Sequence, residues 1–469
     1  MFTHIKMKTK TITNVLAWDL LATLFLRGLP FITTPIFTRL MQPSDYGQIA
    51  TFGSWVSVLS VIIGLGAEGA IPLAKIDFDD KEFNKFNSSV LFLSFIVFSL
   101  CFIFAIPFYG VLSNLLGFPK TFIPLIILTS FFTFSISYSS TILAQLKKTN
   151  INSLINVFQS VVSVIVAIII LRKTQSEKYI AKIFIDSSFT ILIGLVWVMY
   201  ILLQGKTLIN KKYWKFCLTI SLPLIFHSFA SIIFNQSDRV MLKAMATEAE
   251  TGIYSIAYNG SMIISVIWMS CNRVWCPYYY EYKKNNNIEL IKEKSNNYMY
   301  FFTIITLGFI CLAPEVFKIL APVSYIGGLK VIPLIAGAYY FNFIYSFPSN
   351  YEFYNKRTKV IAIGTCFTAI VNILLNYLLI PRFLSLGAAF ATLISYICLF
   401  LFHEFNVRFI IKAKDFDYSF LFYLKGIIPV FIAIIAYYFL LDFWYVRWII
   451  GTILGVYLLI RMVKQRAIF

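Results

Sequence analysis

The amino-acid sequence predicts an all-α polytopic membrane protein with fourteen transmembrane helices, in two pseudo-symmetric six-helix lobes plus two C-terminal helices. First, 59% of the 469 residues are hydrophobic and only 13% are charged, about half the charged share of a soluble domain. Second, apolar segments of about 20 residues, long enough to cross a bilayer, recur along the whole chain. Third, the sequence contains an internal repeat. No polar block is long enough to form a large soluble domain.

The spans are separated by charged or turn-rich breaks. In order, they are predicted over residues 15–38, 46–74, 87–116, 121–145, 151–171, 179–203, 214–242, 252–280, 297–320, 329–354, 360–380, 386–411, 419–440 and 445–463. Several exceed the length needed to cross the bilayer, so we expect them to tilt or to project beyond it. The polar stretch to Asn14 leads into a full-length span without a small-residue cleavage site, which argues against a signal peptide.

The internal repeat is carried by turn and charge residues. The quartet IPLI begins at Ile123 and again at Ile332, and the triplet KKT at Lys147 corresponds at the same offset to KRT at Lys356. Such matches carry more weight than shared apolar composition. The first six spans therefore correspond to spans seven to twelve.

This repeat predicts the domain organisation. Residues 1–204 form the first lobe, 205–412 the second, and 413–469 the two additional spans. Because six is an even number, both lobes enter the membrane in the same orientation, and their pseudo-two-fold axis runs along the membrane normal. The basic segment Gln204–Lys215 links the lobes.

The positive charge is distributed as the membrane orientation requires. With fourteen spans and a cytoplasmic N-terminus, 25 of the 40 Lys and Arg residues lie on the cytoplasmic side. This follows the positive-inside rule, so we expect both termini in the cytoplasm. The external loop Arg172–Lys182, with four cations, is an exception. We therefore attribute the net charge of +19 to membrane orientation and to contact with anionic lipid headgroups. We expect no nucleic-acid partner.

Several catalytic and cofactor-binding chemistries have no matching motif. The seven cysteines occur singly and the three histidines lack metal-ligand spacing, so we predict no metal, no cofactor and no catalytic residues. The stretch GLGAEG at Gly64–Gly69 has the spacing of a dinucleotide-binding turn, but it follows an apolar span and we interpret it as part of a membrane helix. Its glycines are expected to permit close packing or bending. The acidic cluster Asp77–Asp80 is interpreted as a solvated face.

Three quoted stretches resemble a known family. FITTPIFTRLMQPSDYGQIATF resembles the first external turn of the Wzx-type polysaccharide (O-antigen) flippases of the MOP exporter superfamily, and NQSDRVMLKAMATEAETGIYSIAYN with RVWCPYYYEY resembles their seventh and eighth spans. The resemblance covers the whole chain. It implies alternating access that moves undecaprenyl-pyrophosphate-linked oligosaccharide, an O-antigen or capsule repeat unit, from the inner to the outer leaflet.

Charged residues inside the membrane are the candidate site. A charge at the bilayer centre costs roughly 2.5–3.5 kcal/mol or more, so it needs a cavity, a partner or a function. The repeat pairs Arg27 with His227 and Glu68 with Arg273, and the resemblance implies that their helices line the central cavity. Arginine can bind a pyrophosphate bidentately. Snorkelling or a structural ion pair is the alternative for the arginines, and a satisfied core histidine is the alternative for His227.

Acidic residues also lie elsewhere in the spans and near their ends. Asp186, in span six, either couples transport to a cation or proton, or hydrogen bonds to Ser187, Ser188 or a neighbouring helix. The acids near span ends are expected to be solvated at headgroup level; they are Asp19, Glu315, Glu352 and Asp442. Glu352 also has the helix-pair spacing to Lys356.

A gating hypothesis follows from the repeat. Glu68 and Arg273 occupy equivalent positions with opposite signs, and the glycines beside Glu68 would allow close approach. The two side chains would form a salt bridge across the inner ends of the lobes when the cavity is closed to the cytoplasm. The alternative is that each charge pairs within its own lobe.

Two other functions remain open on sequence grounds. A cation-coupled small-molecule exporter shares this architecture, and a membrane-bound polysaccharide polymerase or glycosyltransferase would use the same lipid carrier. For the flippase we expect a monomer in the bacterial inner membrane. We also expect contacts with polysaccharide polymerase and chain-length proteins, and coupling to an H⁺ or Na⁺ gradient or to the membrane potential.

Overall fold

The computed structural model describes residues 25–26, 28–413 and 415–465, without the side chains of residues 223, 224, 226, 227 and 462–465. These residues are helical with short connections, and none of them lies in a β-strand. The chain divides into two compact units, Met1–Gln236 and Ser237–Phe469. The prediction of an all-helical chain is confirmed.

Unit 1 contains eight helices and the start of a ninth. They are α1 (28–40), α2 (Pro43–Gly64), α3 (Ile71–Asp77), α4 (Asp80–Ala105), α5 (Tyr109–Leu116), α6 (Phe122–Gln145), α7 (Thr149–Lys173), α8 (Lys178–Gly205) and α9 (Lys211–Met245). Short 3₁₀ turns at Ala67–Ala70 and Ile106–Phe108 join α2 to α3 and α4 to α5. The division between the units falls within α9.

Unit 2 continues with six helices. They are α10 (Glu248–Lys284), α11 (Ile288–Leu320), α12 (Ile332–Tyr354), α13 (Thr358–Phe405), α14 (Phe420–Phe439) and α15 (Trp444–Gln465). A 3₁₀ segment, Val323–Lys330, precedes α12, and a π-helical turn, Asn406–Ile410, follows α13. Helix α13 kinks at Leu384, whose φ of 52° and ψ of −130° are not helical. Its two halves therefore correspond to predicted spans eleven and twelve.

Many helices have membrane-spanning character. Within the described residues, ten helices are long and apolar enough to cross a membrane, or eleven if Val323–Lys330 and Ile332–Tyr354, bent by 45°, form one span. The kinked stretch Thr358–Ile410 is counted once in this number. The chain is thus a polytopic membrane protein, and the count of fourteen stays a prediction.

Aromatic side chains fill the interior of unit 1. Phe78 and Phe86 meet Tyr213 and Phe216 of α9 at ring-centroid distances of 5.1 to 6.0 Å. These edge-on and tilted contacts are geometries that aromatic pairs prefer. The indole of Trp214 donates to the Ser89 carbonyl oxygen at 2.9 Å. The beginning of α9 is therefore packed into unit 1 immediately after the connection at residues 206–210.

The sequence repeat has a local structural counterpart in each unit. Lys147, after α6, and Lys356, after α12, both have a φ of 58°. The next amide donates back to the carbonyl five residues earlier in both turns, at 2.8 Å from Lys148 and 2.9 Å from Arg357. A left-handed, non-glycine residue is uncommon, so its recurrence at the same repeat position indicates a shared turn.

The stretch GLGAEG is not part of a continuous helix, which corrects the prediction. Helix α2 ends at Gly64, and both Leu65 (φ 53°) and Gly66 (φ 63°) are left-handed before the 3₁₀ turn. Glycine adopts this conformation without steric cost. A side chain at Gly64 would overlap the ring of Phe134. Of the two roles expected for these glycines, close packing is thus found at Gly64 and the change of chain direction at Gly66.

Candidate functional site

Of the four predicted cavity residues, the structure describes the side chains of two. Arg27 lies outside the described residues, and the side chain of His227 does also. Glu68 is half-buried on the 3₁₀ turn of unit 1, with the Ser137 hydroxyl of α6 as its hydrogen-bond partner. Arg273 is exposed on α10 of unit 2.

Glu68 and Arg273 differ in local conformation although the repeat aligns them. Glu68 follows two left-handed residues, whereas α10 is helical without interruption from Glu248 to Lys284 and so through Arg273. Hydropathy does not report backbone dihedral angles, so the sequence did not indicate this difference.

Asp186 has partners within unit 1. The hydroxyl of Ser163 on α7 donates to its Oδ1 at 3.0 Å, and Nζ of Lys182 lies 2.5 Å from its Oδ2. Lys182 also lies over the ring of Phe37, 4.7 Å from the centroid. The hydrogen bond comes from a neighbouring helix, as one of the two interpretations expected, and not from Ser187 or Ser188. An internal ammonium already neutralises this carboxylate.

A buried aspartate that the sequence did not single out lies in unit 2. Asp238 is only 1% exposed. Three neutral groups donate to its carboxylate: Nδ2 of Asn376 at 2.6 Å, Oγ1 of Thr392 at 2.8 Å, and the hydroxyl of Tyr254 at 2.5 Å. The residues come from α9, α10 and both halves of α13, so four chain segments meet at one carboxylate.

The amides beside Asp238 are incompletely hydrogen-bonded. Asn372 accepts from Asn376 Nδ2 at 3.0 Å and from Ser237 at 2.8 Å. Its own Nδ2 and the Oδ1 of Asn376 are buried and make no hydrogen bond within the described part of the chain. Buried polar atoms normally have a partner. A carboxylate grouped with hydroxyl and amide oxygens can hold a proton or a small hard cation. The pair of asparagines four residues apart in an apolar span was the available sequence signal.

The expectation of solvation for the acids near span ends is wrong for two of them. Glu315 forms a bidentate ion pair with Arg447 at 2.7 and 2.8 Å. Glu352 is fully buried and contacts His403 and Asn406, so the expected pairing with exposed Lys356 is also wrong. Asp442 is exposed as expected, and Asp19 lies outside the described residues.

Known proteins match this chain in sequence. The family described as "Polysaccharide biosynthesis protein" matches residues 13–283. An Lsg locus protein of Haemophilus influenzae is 21% identical over 370 residues, which cover 73% of this chain and 85% of that protein. The succinoglycan biosynthesis transport protein ExoT of Rhizobium meliloti is 29% identical over 111 residues, 24% of this chain and 22% of ExoT.

Solved structures share the fold. The lipid II flippase MurJ, in an inward closed conformation, aligns with a TM-score of 0.75 and 18% identity over 96% of this chain and 98% of MurJ. An inward-facing multidrug resistance MATE family transporter of the MOP superfamily aligns with a TM-score of 0.65 and 14% identity, over 85% of this chain and 99% of the transporter. These proteins are named as flippases or transporters, in agreement with the prediction that the chain is not an enzyme.

The family match covers more than half of the chain, and the fold similarity extends over nearly all of it. The predicted resemblance is therefore confirmed: the chain belongs to the polysaccharide biosynthesis protein family and has the fold of MOP-superfamily transporters.

Proposed function

We propose that this protein is a flippase that moves undecaprenyl-pyrophosphate-linked oligosaccharide from the inner to the outer leaflet of the bacterial inner membrane. The observation that carries the proposal is a fold like that of MurJ over 96% of a chain whose family is polysaccharide biosynthesis. The named transport function of ExoT supports it further. The O-antigen or capsule repeat unit is the proposed cargo.

The proposed cargo site uses the membrane charges. Arg27 and Arg273 would bind the pyrophosphate through bidentate hydrogen bonds, with His227 and Glu68 on the same cavity. The exposure of Arg273 supports its role as a ligand-binding residue. The salt bridge between Glu68 and Arg273 remains part of this proposal, with the charge swap Glu68→Arg and Arg273→Glu as its test.

We place ion coupling at Asp238 rather than at Asp186. Lys182 already neutralises Asp186, so an incoming cation would have to displace an attached side chain. Asp238 has neutral donors and lies beside an unused amide oxygen of Asn376. In this proposal a proton or Na⁺ gradient, or the membrane potential, supplies the driving force.

The proposed topology has fourteen spans with both termini in the cytoplasm. Residues 1–204 and 205–412 form the repeated lobes, and 413–469 the two additional spans. We propose a monomer that cooperates with polysaccharide polymerase and chain-length proteins.

Deletion of the gene in the native host tests the function. We expect lipid-linked repeat units to accumulate in the inner leaflet, and plasmid-borne wild-type protein to restore surface polysaccharide. Accumulation in the outer leaflet would instead indicate a polymerase. Drug sensitivity with normal surface polysaccharide would indicate a small-molecule exporter, and either result would overturn the proposal.

The same strain tests the site. Arg27→Ala and Arg273→Ala should fail to restore export although the protein is inserted at the wild-type level, because each removes a bidentate pyrophosphate ligand. Lys284→Ala, on the same helix as Arg273, is the matched control for loss of a cation. Normal polysaccharide with either arginine variant would contradict the role of that residue.

A further inference from the structure

A buried histidine and glutamate meet in unit 2, apart from the proposed cargo and coupling residues. Nδ1 of His403 lies 2.6 Å from Oε2 of Glu352, and both side chains are fully buried. Asn406 Nδ2 donates to the other carboxylate oxygen at 2.7 Å. Glu352 is in the last turn of α12, and His403 is in the second half of α13.

The second ring nitrogen of His403 faces the first half of α13. Nε2 is buried and makes no hydrogen bond within the residues that the structure describes. A side chain at Gly364 would overlap this atom, so only a glycine allows the approach. The ring of Tyr345 covers the imidazole at a centroid distance of 4.8 Å. The imidazole thus joins α12 to both halves of α13 around the Leu384 kink.

The proton count of the pair decides its charge. With a neutral imidazole that donates from Nδ1 and an ionised Glu352, the pair carries one buried negative charge. One proton added at Nε2 makes the pair neutral overall, as imidazolium and carboxylate. An uncompensated buried charge is strongly disfavoured, whereas a hydrogen-bonded pair of opposite charges is tolerated. The packing therefore favours the state with the added proton.

Other ionisable groups on the surrounding elements have partners or solvent of their own. Glu404 accepts from Arg408 and from the hydroxyl of Tyr423 on α14, and the hydroxyl of Tyr351 donates to Asp415. Tyr345 has Ser349 as a hydrogen-bond partner. The cations of the turn between α12 and α13 are exposed: Lys356, Arg357 and Lys359. Glu352 is the acidic group in contact with His403.

We propose that His403, Glu352 and Asn406 form a proton-binding site in unit 2, in which His403 takes up one proton at Nε2. The bound proton stabilises the packing of α12 against both halves of α13. The ligand is the proton itself, and the proposal does not depend on the identity of the transported cargo.

Thermal unfolding of the purified full-length protein in detergent, measured from about pH 5 to about pH 9, tests this site. The range is chosen because histidine side chains change charge near neutral pH. Because alkaline pH removes the proton and leaves a buried negative charge, wild type should lose more stability than Glu352→Gln/His403→Asn. The double variant keeps polar groups at both positions but takes up no proton there. We expect the difference between their melting temperatures to change by more than ~2 °C across the range. Parallel curves would overturn the proposal.

A second measurement keeps the test valid if the double variant does not fold. Since the chain has three histidines, His4→Asn/His227→Asn leaves His403 as the only one, and its ¹⁵N NMR signals report both ring nitrogens. We expect an imidazolium that loses its Nε2 proton as the pH rises. A neutral ring throughout the range would overturn the proposal. His4→Asn alone controls for loss of a histidine elsewhere.

Discussion

Among single residues, the buried carboxylate of Asp238 is the main candidate for ion coupling. Its oxygens accept three hydrogen bonds from neutral groups, each worth about 1.5–3 kcal/mol when the acceptor is charged. Those bonds offset only part of the cost of burying the charge. A carboxylate kept in such a place by an apolar protein is a functional-site candidate.

Asp238→Asn should lower the rate of transport at least about tenfold while the protein remains folded, since the amide preserves shape but not charge. Export in the complemented deletion strain, normalised to the amount of inserted protein, measures the effect. Asp417→Asn is the matched control, because Asp417 is also buried in unit 2 but is paired with Lys283. Wild-type export with Asp238→Asn would remove this residue from the coupling proposal.

The ion pair of Arg447 and Glu315 makes a prediction about stability. Arg447 is 2% exposed and also donates to the carbonyl oxygens of Cys311 and Leu440. Glu315→Ala should destabilise the protein by about 3–5 kcal/mol because it leaves the guanidinium buried and uncompensated. Glu315→Leu/Arg447→Met should recover most of that loss. Thermal unfolding in detergent measures both, and a neutral Glu315→Ala would contradict the account.

These residue contacts could be predicted from the sequence only in part. Charge and hydropathy located Glu315, Glu352 and Asp186 at or inside spans. Glu315 is paired with Arg447, 132 residues away, and Glu352 with His403, 51 residues away. Asp186 accepts from Ser163, 23 residues away. A single sequence does not report which helices pack together. Only the (i, i+4) pair of Asp186 with Lys182 could have been identified from spacing.

At the scale of helices, the break after α2 depends on close packing at Gly64. Gly64→Ala would force a methyl group into the Phe134 ring, and such overpacking costs about 1–3 kcal/mol. Gly53→Ala is the matched control within the same helix, because nothing lies within 4 Å of its added Cβ and it should stabilise by roughly 0.5–1 kcal/mol. Thermal unfolding separates the two. Equal effects would contradict the close packing at Gly64.

Charged groups hold the connection between α13 and α14 against α10. The Lys283 ammonium lies 2.9 Å from an oxygen of Asp417 and 3.3 Å from one of Asp415, and the Tyr351 hydroxyl donates to Asp415 at 2.6 Å. Burial acts to raise the pKa of Asp415, but the hydrogen bond from Tyr351 and the charge of Lys283 outweigh it. The pKa is therefore lowered from the ordinary value.

This direction gives a pH dependence. Because the pKa of Asp415 is lower in the folded protein than its value of about 3.9 in the unfolded chain, the ionised carboxylate stabilises the fold above about pH 3.9. That stability is lost as the pH falls through the pKa of the folded state. Ser419→Cys, introduced after the seven native cysteines are replaced, reports this by its labelling rate divided by that of a small free thiol at the same pH, which removes the intrinsic pH dependence of thiolate chemistry. We expect this ratio to rise below about pH 4, and to be high already at neutral pH, without the acid-dependent rise, when Asp415→Asn is added. An unchanged ratio in acid would contradict the tether.

Element boundaries were predicted well where apolar runs end at charges or prolines. The span expected at 121–145 is α6, Phe122–Gln145, and the break expected between residues 380 and 386 is the Leu384 kink. The break at Gly64–Gly66 was not predicted, because glycine is compatible with a continuous helix and with a left-handed turn alike.

At the scale of the whole molecule, the sequence repeat reappears as recurrent local structure. Helices α2 and α10 begin at Pro43 and Glu248, 205 residues apart, which is also the separation of the repeat-paired residues Glu68 and Arg273. The lobe assignment and the fourteen-span topology rest on this repeat and on the positive-inside distribution.

Reconstitution into liposomes measures lipid-linked oligosaccharide flipping by the protein alone. Purified protein in liposomes that contain undecaprenyl-pyrophosphate-linked oligosaccharide should make inner-leaflet sugar accessible to an added, membrane-impermeant glycosidase. We expect rapid loss of the protected half of the sugar with wild type and persistent protection with Arg273→Ala. Protection that persists with folded, correctly inserted wild-type protein under every imposed ion gradient and membrane potential would contradict the proposed function.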